Sequence, residues 1–181
     1  MRLMMTSMVV GLCAVTTAVP SVAAGPSFPV IKGYGGIETT EGAAERPDKS
    51  VRYRVIFNVT KGPAAPGKIN PTLDRIARFI NLLGADGVRP AAGDLVAIVH
   101  GPATALVMDD ASYRAKFGVP NPNLELIERF RQNGTEVRVC SQALASNKIA
   151  RKMVNPAVQV DVSAMTTLAN LQLKEYALIP D

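Results

Sequence analysis

The sequence has few side chains suited to metal, redox or acid–base chemistry, with only two cysteines and one histidine among 181 residues. Cys13 lies in an N-terminal segment that we expect to be removed, which leaves Cys140 without a partner. Because there is no Cys-x-x-Cys pair, a dithiol cycle within one chain is not expected. His100 and Cys140 alone cannot complete a zinc site in one subunit, and the sequence predicts neither a metal site nor a cofactor.

The sequence also lacks the patterns by which proteins bind nucleic acids or phosphate groups. Its basic residues are dispersed and are not interleaved with aromatic residues, so the net charge of +5 predicts a mildly basic surface and no nucleic-acid partner. The glycine-rich stretch 33–36 precedes no Lys-Ser or Lys-Thr pair, which argues against a phosphate-binding loop. A phosphatase loop would place Arg six residues after Cys140, and that position holds Ser146.

Residues 1–24 predict a cleaved signal peptide. Arg2 precedes an uncharged, largely apolar run over 4–19, and small residues at 22–24 suit a signal peptidase. The run is shorter than the roughly 20 apolar residues of a membrane-spanning helix, so no stable membrane anchor is predicted, although a retained anchor is the alternative. Cleavage near Ala24 predicts a periplasmic protein. An unpaired cysteine in an exported protein is a candidate reactive thiol.

The remaining chain divides into two parts. Residues 25–50 are rich in Gly, Pro and charge and predict an extended lead-in that packs on the body or on a partner. Residues 51–181 alternate apolar, strand-like runs with amphipathic helical patterns. Strands are expected at 51–59, 95–99, 136–140, 158–162 and 176–179. Helices are expected to begin at Asn70-Pro71, Asn121-Pro122 and Ser163, with a long polar connection over 100–120.

This alternation predicts the architecture of the domain. Strands that are apolar on both faces and separated by helices form a mostly parallel sheet covered by helices on both sides. We therefore expect a doubly wound α/β domain with five strands, in the common order 2-1-3-4-5. In such sheets the chemistry lies beyond the carboxyl ends of the strands, where His100 follows the second strand and Cys140 ends the third.

The candidate site centres on Cys140. A helix that starts just after it places the sulfur near a helix N-terminus, which favours the thiolate. The alternative is that Cys140 is a buried, small apolar residue. His100 is predicted to accept a proton from the sulfur or to donate a hydrogen bond to it, provided that the two strands are neighbours; otherwise it bonds to backbone. Ser141 and Gln142 are predicted to supply further hydrogen bonds to a charged sulfur.

Several motifs, in order, resemble the DsrE/DsrF-like family of sulfur-relay proteins, and in particular its exported branch. They are the cysteine segment 136–144, the segment 99–102, the helix start 121–124 and the closing stretches 163–168 and 176–180. The resemblance spans 51–181. It implies a flavodoxin-like α/β fold and assembly into homo-oligomers, as trimers or hexamers. It also implies that Cys140 carries sulfur as a persulfide between a donor and an acceptor protein.

Two departures from the family qualify what the resemblance implies. Ser141 stands where many relatives have Gly after the cysteine, and the characterised sulfur relays work in the cytoplasm. An exported member cannot serve those cytoplasmic pathways, so the resemblance transfers the fold and not the activity. The first hypothesis for the function is a periplasmic sulfur carrier or sulfurtransferase-like protein that uses Cys140. The alternative is a non-catalytic binding or assembly subunit that keeps the fold, because a fold by itself does not specify an activity.

Overall fold

The computed structural model describes residues 25–38, 40–63 and 65–181, so the predicted signal peptide lies outside the described residues. The strands are β1 (Val55–Val59), β2 (Leu95–Val99), β3 (Glu136–Cys140), β4 (Gln159–Asp161) and β5 (Ala177–Ile179). The α-helices are α1 (Pro71–Ala85), α2 (Asp110–Phe117), α3 (Leu124–Gln132), α4 (Ser141–Ser146) and α5 (Ala164–Leu173). Short 3-10 helices span Gly101–Val107 and Arg151–Met153. Among the described residues, no helix is long and apolar enough to cross a membrane.

The five strands form one parallel sheet in the order β4-β3-β2-β1-β5. The predicted α/β class is confirmed, but the predicted order 2-1-3-4-5 is wrong, because β2 lies between β1 and β3. Burial explains the difference. All five residues of β2 are buried, which requires a neighbouring strand on each side, whereas β5 is short, largely exposed and suited to an edge.

The two faces of the sheet are covered unequally. On one face, Val55, Phe57 and Val59 of β1 join the main core together with residues of α1 and α3. On the other face, Ile56, Ile98 and Cys140 form a smaller cluster that includes Ala164 and Leu171 of α5. Helices cover both faces, as predicted, but α5 is the helix whose buried residues lie on the second face.

The connection between β2 and α3 is more regular than the sequence predicts. The supposedly polar segment 100–120 contains a 3-10 helix whose Leu106 and Val107 are fully buried, followed by α2. Asp109 caps α2, since its side chain accepts a hydrogen bond from the Ser112 N–H at 2.7 Å. The polar residues that suggested a loop lie on the outside of this short helix, and its apolar residues are too few to give a clear period.

The capping predictions were right at two helices and wrong at one. Asn70 accepts hydrogen bonds from the backbone of Thr72 and Leu73 at the start of α1, and Ser163 caps α5 in the same way. At α3 the helix begins two residues later than the Asn121-Pro122 pair, at Leu124. The Asn121 amide instead donates to the carbonyls of Leu106 and Met108, and so ties the preceding loop together.

The lead-in packs against α1 through one buried amide. Asn81 is fully buried, and its Oδ1 accepts hydrogen bonds from the backbone of Val30 and Ile31 at 2.9 and 2.8 Å. Its Nδ2 donates to the carbonyls of Tyr34 and Gly35, each at 2.9 Å. The lead-in therefore depends on α1 for the hydrogen bonds of four of its backbone groups, while Ser27 and Ile37 pair with each other.

Candidate functional site

Three strands place polar or reactive side chains in a row at the carboxyl edge of the sheet. Parallel pairing puts Val99 of β2 opposite Val139 of β3, so His100 and Cys140 follow at neighbouring strand ends. Side chains alternate along a strand, and His100 continues the face of Ile98, to which Cys140 also belongs. The correction to the strand order therefore brings His100 and Cys140 onto adjacent strands, about 4.8 Å apart.

The sulfur of Cys140 is buried and receives one backbone hydrogen bond. The residue is 5% exposed and lies in the second-face cluster with Ala143 and Ala164. Its Sγ accepts from the Ala143 N–H at 3.4 Å, in the first turn of α4. The sulfur is therefore oriented toward the start of the helix, as expected, but α4 and α5 cover it. Only a small part of the residue is therefore open to a reagent.

His100 bonds to a neighbour on β1 rather than to the sulfur. Its Nε2 lies 2.7 Å from Oδ1 of Asn58, on the adjacent strand. Because an amide oxygen only accepts, Nε2 carries the proton and Nδ1 is left as an acceptor. Burial lowers the pKa of His100, and the negative charge of Asp181 offsets part of that shift. At neutral pH the imidazole is therefore uncharged, and no donor among the described residues bonds to its Nδ1.

Ser141 and Gln142, the predicted sulfur ligands, are directed elsewhere. The Ser141 hydroxyl donates to the carbonyl of Val162 at 2.8 Å, and the Gln142 amide donates to the same carbonyl at 3.4 Å. These contacts join the first turn of α4 to the segment that precedes α5. The donor to the sulfur is the backbone N–H of Ala143, which lies in the predicted helix start but was not singled out, because every residue there has the same N–H group.

An ion-pair network lies beside the cysteine on β3 and β4. Asp161 is the register partner of Cys140, and its carboxylate accepts from the Thr167 hydroxyl at 2.6 Å. Arg138, two residues before the cysteine, donates to Glu136 and approaches Asp161 at 3.6 Å. Arg138 is thus neutralised by its own partners and is not a free cation for the sulfur.

A second cluster at this edge surrounds Asp181. Its carboxylate accepts hydrogen bonds from the backbone of Thr60 and Lys61 at 2.7 Å each, and from the hydroxyls of Thr60 and Thr72. Burial raises the pKa of Asp181, but these hydrogen bonds outweigh burial and lower the pKa to about 2. Sequence analysis singled out neither Asp181 nor Asn58, although Asn58 interrupts an otherwise apolar strand and is a signal that could have been used.

The edge of the sheet brings a thiol and an imidazole to neighbouring strand ends. Within the described residues, no three His, Cys, Asp or Glu side chains lie close enough to hold a metal ion. A single thiol with a backbone donor on one side and a neutral imidazole on the next strand can be deprotonated and can accept or release one group.

The comparisons with known proteins agree with this architecture. A family model described as DsrE/DsrF-like family matches residues 53–180. A solved structure of a protein of unknown function from Methanobacterium thermoautotrophicum is similar, with a TM-score of 0.52 and 14% sequence identity. That match covers 71% of this chain and 99% of the other. At this identity the similarity shows the fold alone. No curated protein matches the sequence significantly.

Proposed function

Because the chain belongs to the DsrE/DsrF-like family, we propose that it is a single-cysteine sulfur carrier that holds sulfane sulfur as a persulfide on Cys140. The observation that carries the proposal is the position of the sulfur. It lies at the end of an inner strand, accepts the Ala143 N–H at 3.4 Å and has His100 at the end of the adjacent strand. The family connects the chain with sulfur relay, and this position makes Cys140 the residue to which we assign the sulfur.

The proposed transfer is a thiolate displacement. The Cys140 thiolate attacks the sulfane sulfur of a donor persulfide, and a new S–S bond forms as the donor's S–S bond breaks. The donor leaves as a thiolate with the electron pair, and the proton stays on the terminal sulfur. The sulfur is released by the reverse step, in which an acceptor thiolate attacks the terminal sulfur and Cys140 leaves as the thiolate. No external oxidant or reductant is needed.

His100 has a supporting role in this proposal. The thiol must lose its proton before it attacks, since the thiolate is the nucleophile. The imidazole of His100 is neutral, and Asn58 holds Nε2 as the donor, which leaves Nδ1 to take up that proton. Asn58 would therefore orient His100 in the way that a carboxylate or amide orients a catalytic histidine in many enzymes.

We further propose that the protein belongs to the exported branch of the family and acts in the periplasm as a homo-oligomer, preferably a trimer. The signal-like pattern of 1–24 supports export. If this is right, the intact mass of the protein recovered from the periplasm corresponds to a chain that starts at Gly25 or Ala24. A soluble cytoplasmic species that retains residues 1–24 would contradict it.

Thiol reactivity in the folded state tests the carrier. The folded protein is treated with a small-molecule persulfide, and its intact mass is recorded before and after a reductant. We expect the wild type to gain the mass of one sulfur atom, which the reductant removes, and Cys140→Ser to gain nothing. His100→Gln keeps the thiol but slows the transfer by about tenfold or more, because it removes the proton acceptor.

The burial of Cys140 favours a second candidate function. A cysteine that is 5% exposed is also what a purely structural residue looks like, and the protein would then be a non-catalytic binding or assembly subunit. A Cys140 that reacts only after unfolding in urea would reject the carrier in favour of this account. An equal reaction rate in wild type and His100→Gln would remove the role of His100 alone.

A further inference from the structure

The carboxylate of Asp181 accepts hydrogen bonds from four groups of the described residues, which belong to Thr60, Lys61 and Thr72 and form a recess around it. Its Oδ2 accepts from the Thr60 and Lys61 N–H groups at 2.7 Å each and from the Thr60 hydroxyl at 2.9 Å. Its Oδ1 accepts from the hydroxyl of Thr72, near the start of α1. The Asp181 side chain is only 5% exposed, so the recess encloses the whole carboxylate.

Two cationic side chains lie beside the same recess, and neither donates a hydrogen bond to the Asp181 carboxylate. The ammonium of Lys61 stays 3.9 Å from Oδ1, too far for a hydrogen bond. The guanidinium of Arg75 donates at 2.5 Å to the carbonyl of Pro180 and not to the carboxylate. Two adjacent backbone N–H groups, two hydroxyls and two cations are the groups that bind oxyanions. A group with more oxygens than a carboxylate would engage more of them.

We propose that this recess, the Asp181 cradle (Thr60, Lys61, Thr72 and Arg75), is a binding site for a small tetrahedral oxyanion, and that Asp181 occupies it as a displaceable internal ligand. The attachment of Asp181 permits this exchange. The ladder between β5 and β1 ends at the pair Phe57 and Ile179, so Pro180 and Asp181 extend beyond the paired strand. Asp181 can leave the cradle without breaking a ladder hydrogen bond.

The cradle is separate from the proposed sulfur site. It follows β1, whereas Cys140 ends β3, and β2 lies between them. Two strand spacings amount to about 10 Å, so a small anion in the cradle would not touch the sulfur. The inference therefore does not depend on the proposed function. The cradle also lies within electrostatic range of His100, and an oxyanion in place of Asp181 would keep a negative charge there.

Competition from the Asp181 carboxylate determines how tightly the wild type binds an external anion. An external anion binds only the fraction of molecules in which Asp181 has left, so the apparent affinity is reduced by that fraction. Removing the Asp181 carboxylate abolishes the competition. The cradle then keeps all its donors, and Lys61 loses the carboxylate that lies 3.9 Å from its ammonium.

Anion-dependent thermal stability of the full chain tests the proposal. Wild type and Asp181→Ala are melted in sulfate, phosphate or acetate, each compared with chloride at the same ionic strength. We expect Asp181→Ala to have a lower melting temperature than the wild type in chloride. Sulfate or phosphate should raise the melting temperature of the variant by more than that of the wild type. Half of that gain should need about tenfold less anion in the variant than in the wild type, because the competitor is gone. A response to acetate alone would overturn the tetrahedral assignment.

Two further variants make the result specific. Glu41→Ala removes an exposed negative charge elsewhere, and the anions should raise its melting temperature no more than they raise that of the wild type. Thr72→Val in the Asp181→Ala background removes one donor and should raise the anion concentration needed for half of the gain. An Asp181→Ala protein that responds no more than Glu41→Ala overturns the proposal. If Asp181→Ala is unfolded in chloride, refolding in sulfate or phosphate supports the cradle, and failure in every anion rejects it.

Discussion

At the scale of single residues, hydrogen bonds decide the charge state of Asp181 at the carboxyl edge of the sheet. The carboxylate of Asp181 would be difficult to ionise if burial acted alone, because desolvation raises its pKa. Donors from Thr72, Lys61 and Thr60 more than compensate, and the pKa falls to about 2. Since this folded value lies below the ordinary one, the stabilisation is complete above about pH 4 and is lost as the pH falls toward 2.

We predict that Asp181→Asn lowers the free energy of unfolding by about 2 kcal/mol at neutral pH, from the size of the pKa shift at 1.36 kcal/mol per unit. Near pH 2 the wild-type carboxyl is about half protonated in the folded protein and almost fully protonated in the unfolded one, so most of the difference between the two proteins should be lost. Urea unfolding at the two pH values measures it. The exposed Glu41→Gln serves as the control and should differ little from wild type at either pH. A loss for Asp181→Asn that is the same at both pH values would contradict the prediction.

At the scale of elements, local sequence chemistry placed the helix starts better than the loops. Asn70 and Ser163 act as caps because a side-chain oxygen next to an apolar helical pattern has an N–H to bind within two or three residues. The failure at Asn121 has a tertiary cause, since its amide finds the carbonyls of Leu106 and Met108, which belong to another segment. A polar side chain that can cap locally can also bind at long range.

Asn81 joins two elements and yields the second prediction. Asn81→Ala leaves the Val30 and Ile31 N–H groups without their acceptor in a buried place, so the free energy of unfolding should fall by about 3 kcal/mol. The substitution should increase the hydrogen-exchange rates of the Val30 and Ile31 amides by a larger factor than those of the amides in the β-strands. Asn170→Ala, an exposed asparagine of α5, is the matched control and should change neither quantity appreciably. Unchanged protection of Val30 and Ile31 in Asn81→Ala would show that the lead-in is held by other contacts.

At the scale of the whole molecule, α5 exposes an apolar surface. Met165 is 78% and Leu173 84% exposed, and with the exposed Ala169 they lie four residues apart on one side of the helix. Val162, just before α5, is 74% exposed. The opposite side of α5 packs on the sheet through Ala164 and Leu171. An apolar stripe of this kind suits the homo-oligomer that we propose, because association would remove it from water.

We predict that the wild type sediments as an oligomer, with the trimer favoured, at micromolar concentration. Met165→Lys should shift it toward the monomer, because a charge at this position would have to be desolvated on association. Sedimentation velocity measures both. Asn170→Lys, on another side of the same helix, adds the same charge and should leave the assembly intact. A wild type that is monomeric at micromolar concentration would reject the assembly itself.

The sequence by itself determined all five strand segments and the starts of α1 and α5, although not the helices within 100–120, and it placed Cys140 at a strand end and near the start of a helix. It did so because periodicity, caps and β-branched runs act over a few residues. Only the tertiary structure decided which elements became neighbours. The strand order follows from the complete burial of β2 and the exposure of β5 in the folded sheet.

The same division holds at the candidate site. The partnership of His100 with Asn58 joins residues 42 positions apart, and that of Asp181 with Thr60 joins residues 121 positions apart. The sequence marks Asn58 as a polar residue in an apolar strand but identifies neither partner, since each pair exists only because parallel strands bring their carboxyl ends to one edge. The burial of Cys140 under α5 is likewise a product of packing, and it will govern whether the thiol that the sequence singles out can react.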